Sequence, residues 1–260
     1  MPALLFFGGN GHSAARLASV RAVLDPMGPA APFELVDLPY PGFEGRPSAS
    51  DRDGFLDACA RAASPVIARD DVRVYATGIG ALFAVTLRAQ RRLAAHPLIL
   101  QGPVLWGLER RWMPRLARAG LAPLIPRLFA SRMFQRHFVR RHFFSPLAAD
   151  VRSGFFEGYA RCAATADLFR WCAPPWLREV ESAVARDRDT LDGVEVWWGA
   201  RDRVVDPSEL RWTERALGVR WPERTFATWG HYPMIDDAEG WGRAVAATTA
   251  QTGTAVMIAR

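Results

Sequence analysis

A short apolar run, Val72 to Tyr75, breaks into the small residues Ala76, Thr77, Gly78, Ile79, Gly80 and Ala81. It continues into a stretch, Leu82 to Leu93, with apolar residues at three- and four-residue spacing. A strand that turns this tightly into a helix has few homes. The helix must fold back over the sheet that the strand belongs to, and the next strand then follows by a crossover, which makes the sheet parallel. Glycine at 78 accepts the positive φ of such a turn without strain, but it supplies no functional group.

The same alternation runs through most of the 260 residues. Strand candidates are Leu4–Phe7, Phe33–Val36, Val72–Tyr75, Leu98–Leu100, Val194–Trp198 and Arg224–Phe226. Helical periodicity falls between them, at Ala14–Leu24, Phe55–Ile67, Ala81–Leu93, Glu209–Leu217 and Trp241–Thr249. The pattern predicts an α/β fold, a mainly parallel sheet with helices on both faces. In such sheets ligands bind where the loops gather at the carboxyl ends of the strands.

One segment breaks the rhythm. From about Trp106 to Asp189 the chain shows aromatic and arginine-rich helical sequence with prolines, as in Trp112-Met113-Pro114, Phe143-Phe144-Ser145-Pro146 and Cys172-Ala173-Pro174-Pro175-Trp176. It is too long for a loop in a compact domain. The expectation is a helical cap at 106–189, inserted into a core formed by 1–105 and 190–260. The cap aromatics, Trp106, Phe143 and Trp176 among them, are expected to line an apolar pocket, with the larger share packing within the cap itself.

Composition narrows the function classes. The formal charge is +6 and every basic residue is arginine. Nine arginines lie between Arg110 and Arg141, with Glu109 the one acid beside them. Such a block is a solvated helical face or an attractor for an acidic substrate, a carrier-bound substrate or a membrane surface. Nucleic acid is disfavoured, because the charge is confined to the insertion and no reading motif is present. Cys59, Cys162 and Cys172 form neither a disulfide framework nor a C-x-x-C pair, and no His/Cys cluster has metal-ligand spacing, so no metal and no cofactor are expected. No apolar run approaches the ~20 residues of a membrane span. The first apolar run, Ala3 to Phe7, lacks the basic lead of a signal peptide, and a cytoplasmic location is expected.

Four landmarks then carry a resemblance. Phe7-Gly8-Gly9-Asn10-Gly11-His12 is similar to an H-G-x-x-G oxyanion loop, with Gly8 standing where histidine is usual. Asp37-Leu38-Pro39-Tyr40-Pro41-Gly42-Phe43 is similar to a D-x-x-G-x-G turn. Trp198-Gly199-Ala200-Arg201-Asp202, continuing to Pro207, resembles a G-x-x-D-x-x-x-P acid turn, and Trp229-Gly230-His231 resembles a G-H turn. With the strand–turn–helix at 72–93, the whole chain resembles the α/β-hydrolase superfamily, beginning at the strand usually called the third. The order Gly78, Asp202, His231 is the superfamily order of nucleophile, acid and base.

The resemblance implies a nucleophile elbow of the G-x-S-x-G type in which Gly78 takes the serine position and Ala76 the first glycine. It implies that Asp202 orients His231 by a hydrogen bond to one imidazole nitrogen, leaving the other as a base. Asp206 is a second, weaker candidate for the acid. The oxyanion donors would be the backbone N–H groups of Asn10 and Ile79, the latter at a helix N-terminus. Gly9, His12, Trp106, Phe143, Trp176 and Tyr232 are the candidate substrate contacts, although His12 also reads as a surface or capping residue and His231 as a structural turn histidine. Thr77, Ser13 and Cys59 are poorly placed as replacement nucleophiles.

Three functions remain open. The first is an enzyme using a His–Asp dyad and an oxyanion loop for non-covalent acid/base chemistry: a lyase, an isomerase or epimerase, or direct activation of water. Its substrate would be small and apolar, with a carbonyl or carboxylate. The second is a pseudohydrolase acting as a ligand- or protein-binding module. The third is a serine esterase carrying a Ser-to-Gly change at 78. The sequence leaves the oligomeric state open.

Overall fold

The computed structural model describes residues 1–144 and 146–255. Ser145, in the expected Phe143–Pro146 break, lies outside the described residues. Six strands, β1 (Ala3–Phe7), β2 (Glu34–Asp37), β3 (Val72–Thr77), β4 (Leu98–Gln101), β5 (Val194–Gly199) and β6 (Glu223–Phe226), form one sheet in the order β2-β1-β3-β4-β5-β6. Every pairing is parallel; Leu5 of β1 stands opposite Val36 on one side and Val74 on the other. Each strand contains the run expected for it and extends it by one or two residues, or shifts by one in β2.

The strands read as apolar runs because both faces are covered. Side chains alternate across a sheet, so Leu5, Phe7, Val74, Ala76, Val196 and Trp198 enter one core, and Leu4, Phe6, Tyr75, Ile99 and Trp197 the other. The first core is closed by α2 (Arg52–Ile67), α3 (Gly80–Ala89), α9 (Pro174–Arg186) and α10 (Pro207–Leu217). The second is closed by α1 (Ala18–Leu24), the short α11 (Pro233–Asp236), α12 (Ala238–Ala255) and part of the insertion. Ala14–Leu17, expected to begin a continuous helix with α1, is a 3₁₀ turn. The helix α3 stops at Ala89, short of Leu93. Arg91 turns left-handed there (φ 56°), and the N–H groups of Arg92 and Leu93 return to the carbonyl of Leu87. That closure satisfies carbonyls at the helix end.

The insertion is helical: α4 (Trp112–Leu116), α5 (Leu124–Ala130), α6 (Arg132–His142), α7 (Ala149–Ala160), α8 (Ala163–Trp171) and α9. Its α5 packs on α7, and α7 packs on the 14–17 turn, which roofs the carboxyl ends of the strands. By contrast α9 lies against α3, with Trp176 stacked on Phe83 and its indole N–H donating to the Thr86 hydroxyl.

Candidate active site

Two loops at the carboxyl end of the sheet bring His231 and Asp202 together. Asp202 follows β5 and His231 follows β6, 29 residues later. Nδ1 of His231 lies 2.8 Å from a carboxylate oxygen of Asp202, and both side chains are buried. The other Asp202 oxygen accepts the N–H groups of Val204 (2.7 Å) and Val205 (3.0 Å). Burial pushes the Asp202 carboxyl up, but the adjacent His231 and these N–H donors outweigh it and hold the group below the ordinary carboxylate range. Asp206 does something else: it caps α10 by accepting the N–H of Ser208.

The pair rests on the end of β4. Gly102 has φ 47°, and a Cβ there would stand 2.9 Å from both the Asp202 carboxylate and His231 Nδ1. Across the site, Gly78 has φ 56°. A side chain beginning at 78 would start 3.5 Å from His231 Nε2 and 3.9 Å from the Gly9 Cα. The 8–12 loop, the elbow and the free imidazole nitrogen therefore converge on one point. Gly80 permits this convergence, because a Cβ there would strike the carbonyls of Phe7 and Gly8. Among the described residues, no protein group engages the backbone N–H of Asn10 or of Ile79, the residue before α3.

The loop is held from behind by the turn after β2. His12 Nε2 meets Asp37 at 2.6 Å, and the Tyr40 hydroxyl donates to the Gly8 carbonyl (2.9 Å). The Asn10 side chain is spent on the scaffold: Oδ1 accepts from the Gly11 N–H and Nδ2 donates to the Thr165 carbonyl.

A cavity of about 360 Å³ opens over these groups. Gly9, Asn10, His12, Gly78, Ile79, His231 and Tyr232 all line it; Asp202 sits behind His231. Three expected contacts do not line it. Trp106 is buried beside α9 with its indole N–H on Glu181, Trp176 packs on α3, and Phe143 stacks against the far side of Tyr232. Of the remaining cap aromatics, Trp112, Phe129, Phe138 and Phe169 do line it. The other hydroxyls and thiol are engaged or buried elsewhere. Thr77 donates to Gln101, Ser13 donates to the Gly154 carbonyl, and Cys59 is enclosed in the core with its thiol pushed up by burial.

Sequence reasoning missed Gly102, His142 and Arg16. Gln101-Gly102-Pro103 at a strand end is a signal for a special turn, and Arg16 is a lone cation in the otherwise small and apolar Ala14–Ala18 stretch. Both Arg16 and His142 line the cavity. Among the described residues no cluster of His, Cys, Asp and Glu is placed to hold a metal ion, and no helix is long and apolar enough to cross a membrane.

No family model matches the sequence, and no curated protein matches it. Solved structures do. A haloalkane dehalogenase from Bradyrhizobium elkani superposes over 98% of this chain and 91% of its own, with 20% identity and a TM-score of 0.68. A protein described as an aryl esterase from Burkholderia cenocepacia covers 97% and 91% at 16% identity, also at TM-score 0.68. One described as a lipase from Acinetobacter baumannii covers 97% and 85% at 14% identity and TM-score 0.65. These likenesses span nearly the full length of both partners in each case, and with the six-stranded parallel sheet they establish that this chain has the α/β-hydrolase fold.

Proposed function

We propose that this chain is an enzyme that uses His231 as a general base without a covalent nucleophile. The observation that carries this reading is the orientation of His231: Nδ1 is committed to Asp202, while Nε2 faces the point 3.5 Å away where a side chain at 78 would begin. Gly78 leaves that point to substrate or water. His231 Nε2 takes a proton from a carbon acid or from a water, and Asp202 stabilises the imidazolium that results. The N–H groups of Asn10 and Ile79 receive the negative charge of the enolate or alkoxide. The imidazolium then returns its proton to the product carbon or to the leaving group, which closes the cycle.

In this reading residues 1–105 and 190–260 carry the site and 106–189 roof it, with α9 serving the core. The substrate is a small apolar molecule with a carbonyl or carboxylate, and no cofactor takes part. The absence of a hydroxyl at 78 favours a second reading, a pseudohydrolase that binds its ligand without turning it over.

His231→Ala separates the two. Wild type and variant are compared on a panel of ketones, 2-oxo acids and aryl esters, following α-proton exchange in deuterium oxide and product release, with ligand affinity measured separately. Turnover is expected in wild type and lost in the variant while affinity persists. If neither protein turns over any compound that both bind, the binding-module reading replaces this one. A Gly78→Ser variant tests the geometry directly. Its hydroxyl would begin within reach of Nε2, and a burst of p-nitrophenol from p-nitrophenyl butyrate is the expected result.

A further inference from the structure

Arg16 is only 5% exposed, yet among the described residues no hydrogen bond or ion pair to its guanidinium is formed, and Nε and Nη2 are buried without a partner. Another arginine in the same molecule shows what a structural guanidinium looks like here. Arg88, also buried, donates Nε to the Thr190 carbonyl, Nη1 to that of His96 and Nη2 to that of Asp192. Leaving a charge in an apolar site without acceptors is costly, so the contrast calls for a reason.

The location supplies one. Arg16 lines the cavity, its guanidinium lying 4.3 Å from the Phe155 ring centre and 4.8 Å from that of Tyr159. Nη1 stands 3.8 Å from where a Gly9 side chain would begin, and Gly9 Cα is 3.9 Å from the corresponding point at Gly78. The cation is therefore one residue's breadth from the convergence of elbow, loop and imidazole. Among the described residues the cavity lining contains no Asp or Glu, while Arg111, Arg141 and Arg203 stand around it with Arg16. Ring faces can flank a guanidinium but do not accept its in-plane N–H bonds. A ligand oxyanion would.

We propose that Arg16 is a binding residue for a ligand carboxylate, so that the cavity selects amphipathic carboxylates whose apolar body lies against the cap aromatics. A planar guanidinium matches a carboxylate with paired hydrogen bonds. The placement of the reacting carbon over Gly78 rests on the function proposed above; the carboxylate site itself does not.

The experiment uses two probes of the same shape, 4-phenylbutyrate and 4-phenylbutanamide, with binding measured by calorimetry on wild type, Arg16→Gln, Arg16→Met and His231→Ala. Wild type is expected to prefer the acid by about tenfold or more. The two Arg16 variants lose that preference while keeping the amide affinity, and His231→Ala retains it. Because the variants remove a buried charge that has no partner, both are expected to melt no lower than wild type. If they fold too poorly for calorimetry, thermal shifts at equal ligand concentration decide: the acid raises Tm of wild type more than the amide does, and a variant that still melts cooperatively shows no such difference. Equal affinity for acid and amide in wild type, undetectable binding of the acid at millimolar concentration, or a preference that survives loss of Arg16 each overturns the assignment. Absence of turnover in every protein, with the acid preference intact, would remove the enzyme reading and leave this one standing.

Discussion

Two histidine–carboxylate pairs flank the same turn, and they are built oppositely. His231 gives Nδ1 to Asp202 and leaves Nε2 facing the cavity above Gly78. His12 gives Nε2 to Asp37 and leaves Nδ1 buried without a partner against Gly8, where a Cβ would overlap the imidazole. Both rings are nearly fully enclosed and both touch the cavity wall. What separates them is which nitrogen is released and whether anything can reach it. A pairing distance alone would rank His12 first, at 2.6 Å against 2.8 Å. The direction of the second nitrogen reverses that ranking: His231 is poised over the elbow, while His12 clamps the loop that carries the Asn10 N–H.

The comparison breaks most readily at Asp202. In a Gly78→Ser background, which makes p-nitrophenyl butyrate a reporter, Asp202→Asn is expected to lower kcat by about 10³–10⁴-fold, because the imidazole loses its tautomer and its counter-charge. The steady-state rate measures it, and a loss below tenfold would show that the dyad is ornamental. His12→Asn in the same background is expected to behave as a scaffold change. It should cost about 1–3 kcal/mol in chemical unfolding through the orphaned Asp37 and less than about tenfold in kcat. A kcat loss as deep as that of Asp202→Asn would give His12 a share in the chemistry.

The third and smallest effect concerns His142 on the cavity wall. Burial, helped by the nearby His231 and Arg141, holds its imidazole down at about 4 against 6.5 for a free one, with Asp202 pulling the other way. The unfolded chain therefore binds the extra proton first, and stability falls as pH drops from about 6.5 toward 4. Asp202, whose carboxyl is depressed on folding, adds a loss in the same direction, but only below the usual carboxylate range. His142→Leu is expected to retain more of its neutral-pH stability at pH 5 than wild type does, read from urea melts at both pH values. Parallel losses in the two proteins would mean that His142 is not held neutral.

The sheet was legible because strands buried on both faces are written as uninterrupted apolar runs, and the glycine and proline turns between them punctuate the chain clearly. The dyad and the loop were legible because each sits at the end of a strand in a short, recognisable turn. The cap was not. Whether an aromatic such as Trp176 or Phe169 meets the cavity depends on helix phase and docking angle, and neither is written in composition. Trp176 belongs to α3's core and Phe169 to the cavity. Arg16 escaped notice because a buried cation and an exposed one are spelled alike; only its lack of acceptors, set beside the well-bonded Arg88, marks it. Gly102 escaped because its importance lies in what is stacked on it from two distant loops.

The glycine at the elbow also determines how such a protein can be found. Fluorophosphonates and other electrophilic tags used to fish out serine hydrolases need an alkoxide to attack them, and position 78 offers only a hydrogen. A proteome screened with those reagents will pass over this chain at that site, however well formed the rest of the pocket is, whereas immobilised aryl carboxylates will retain it if Arg16 has the role assigned to it.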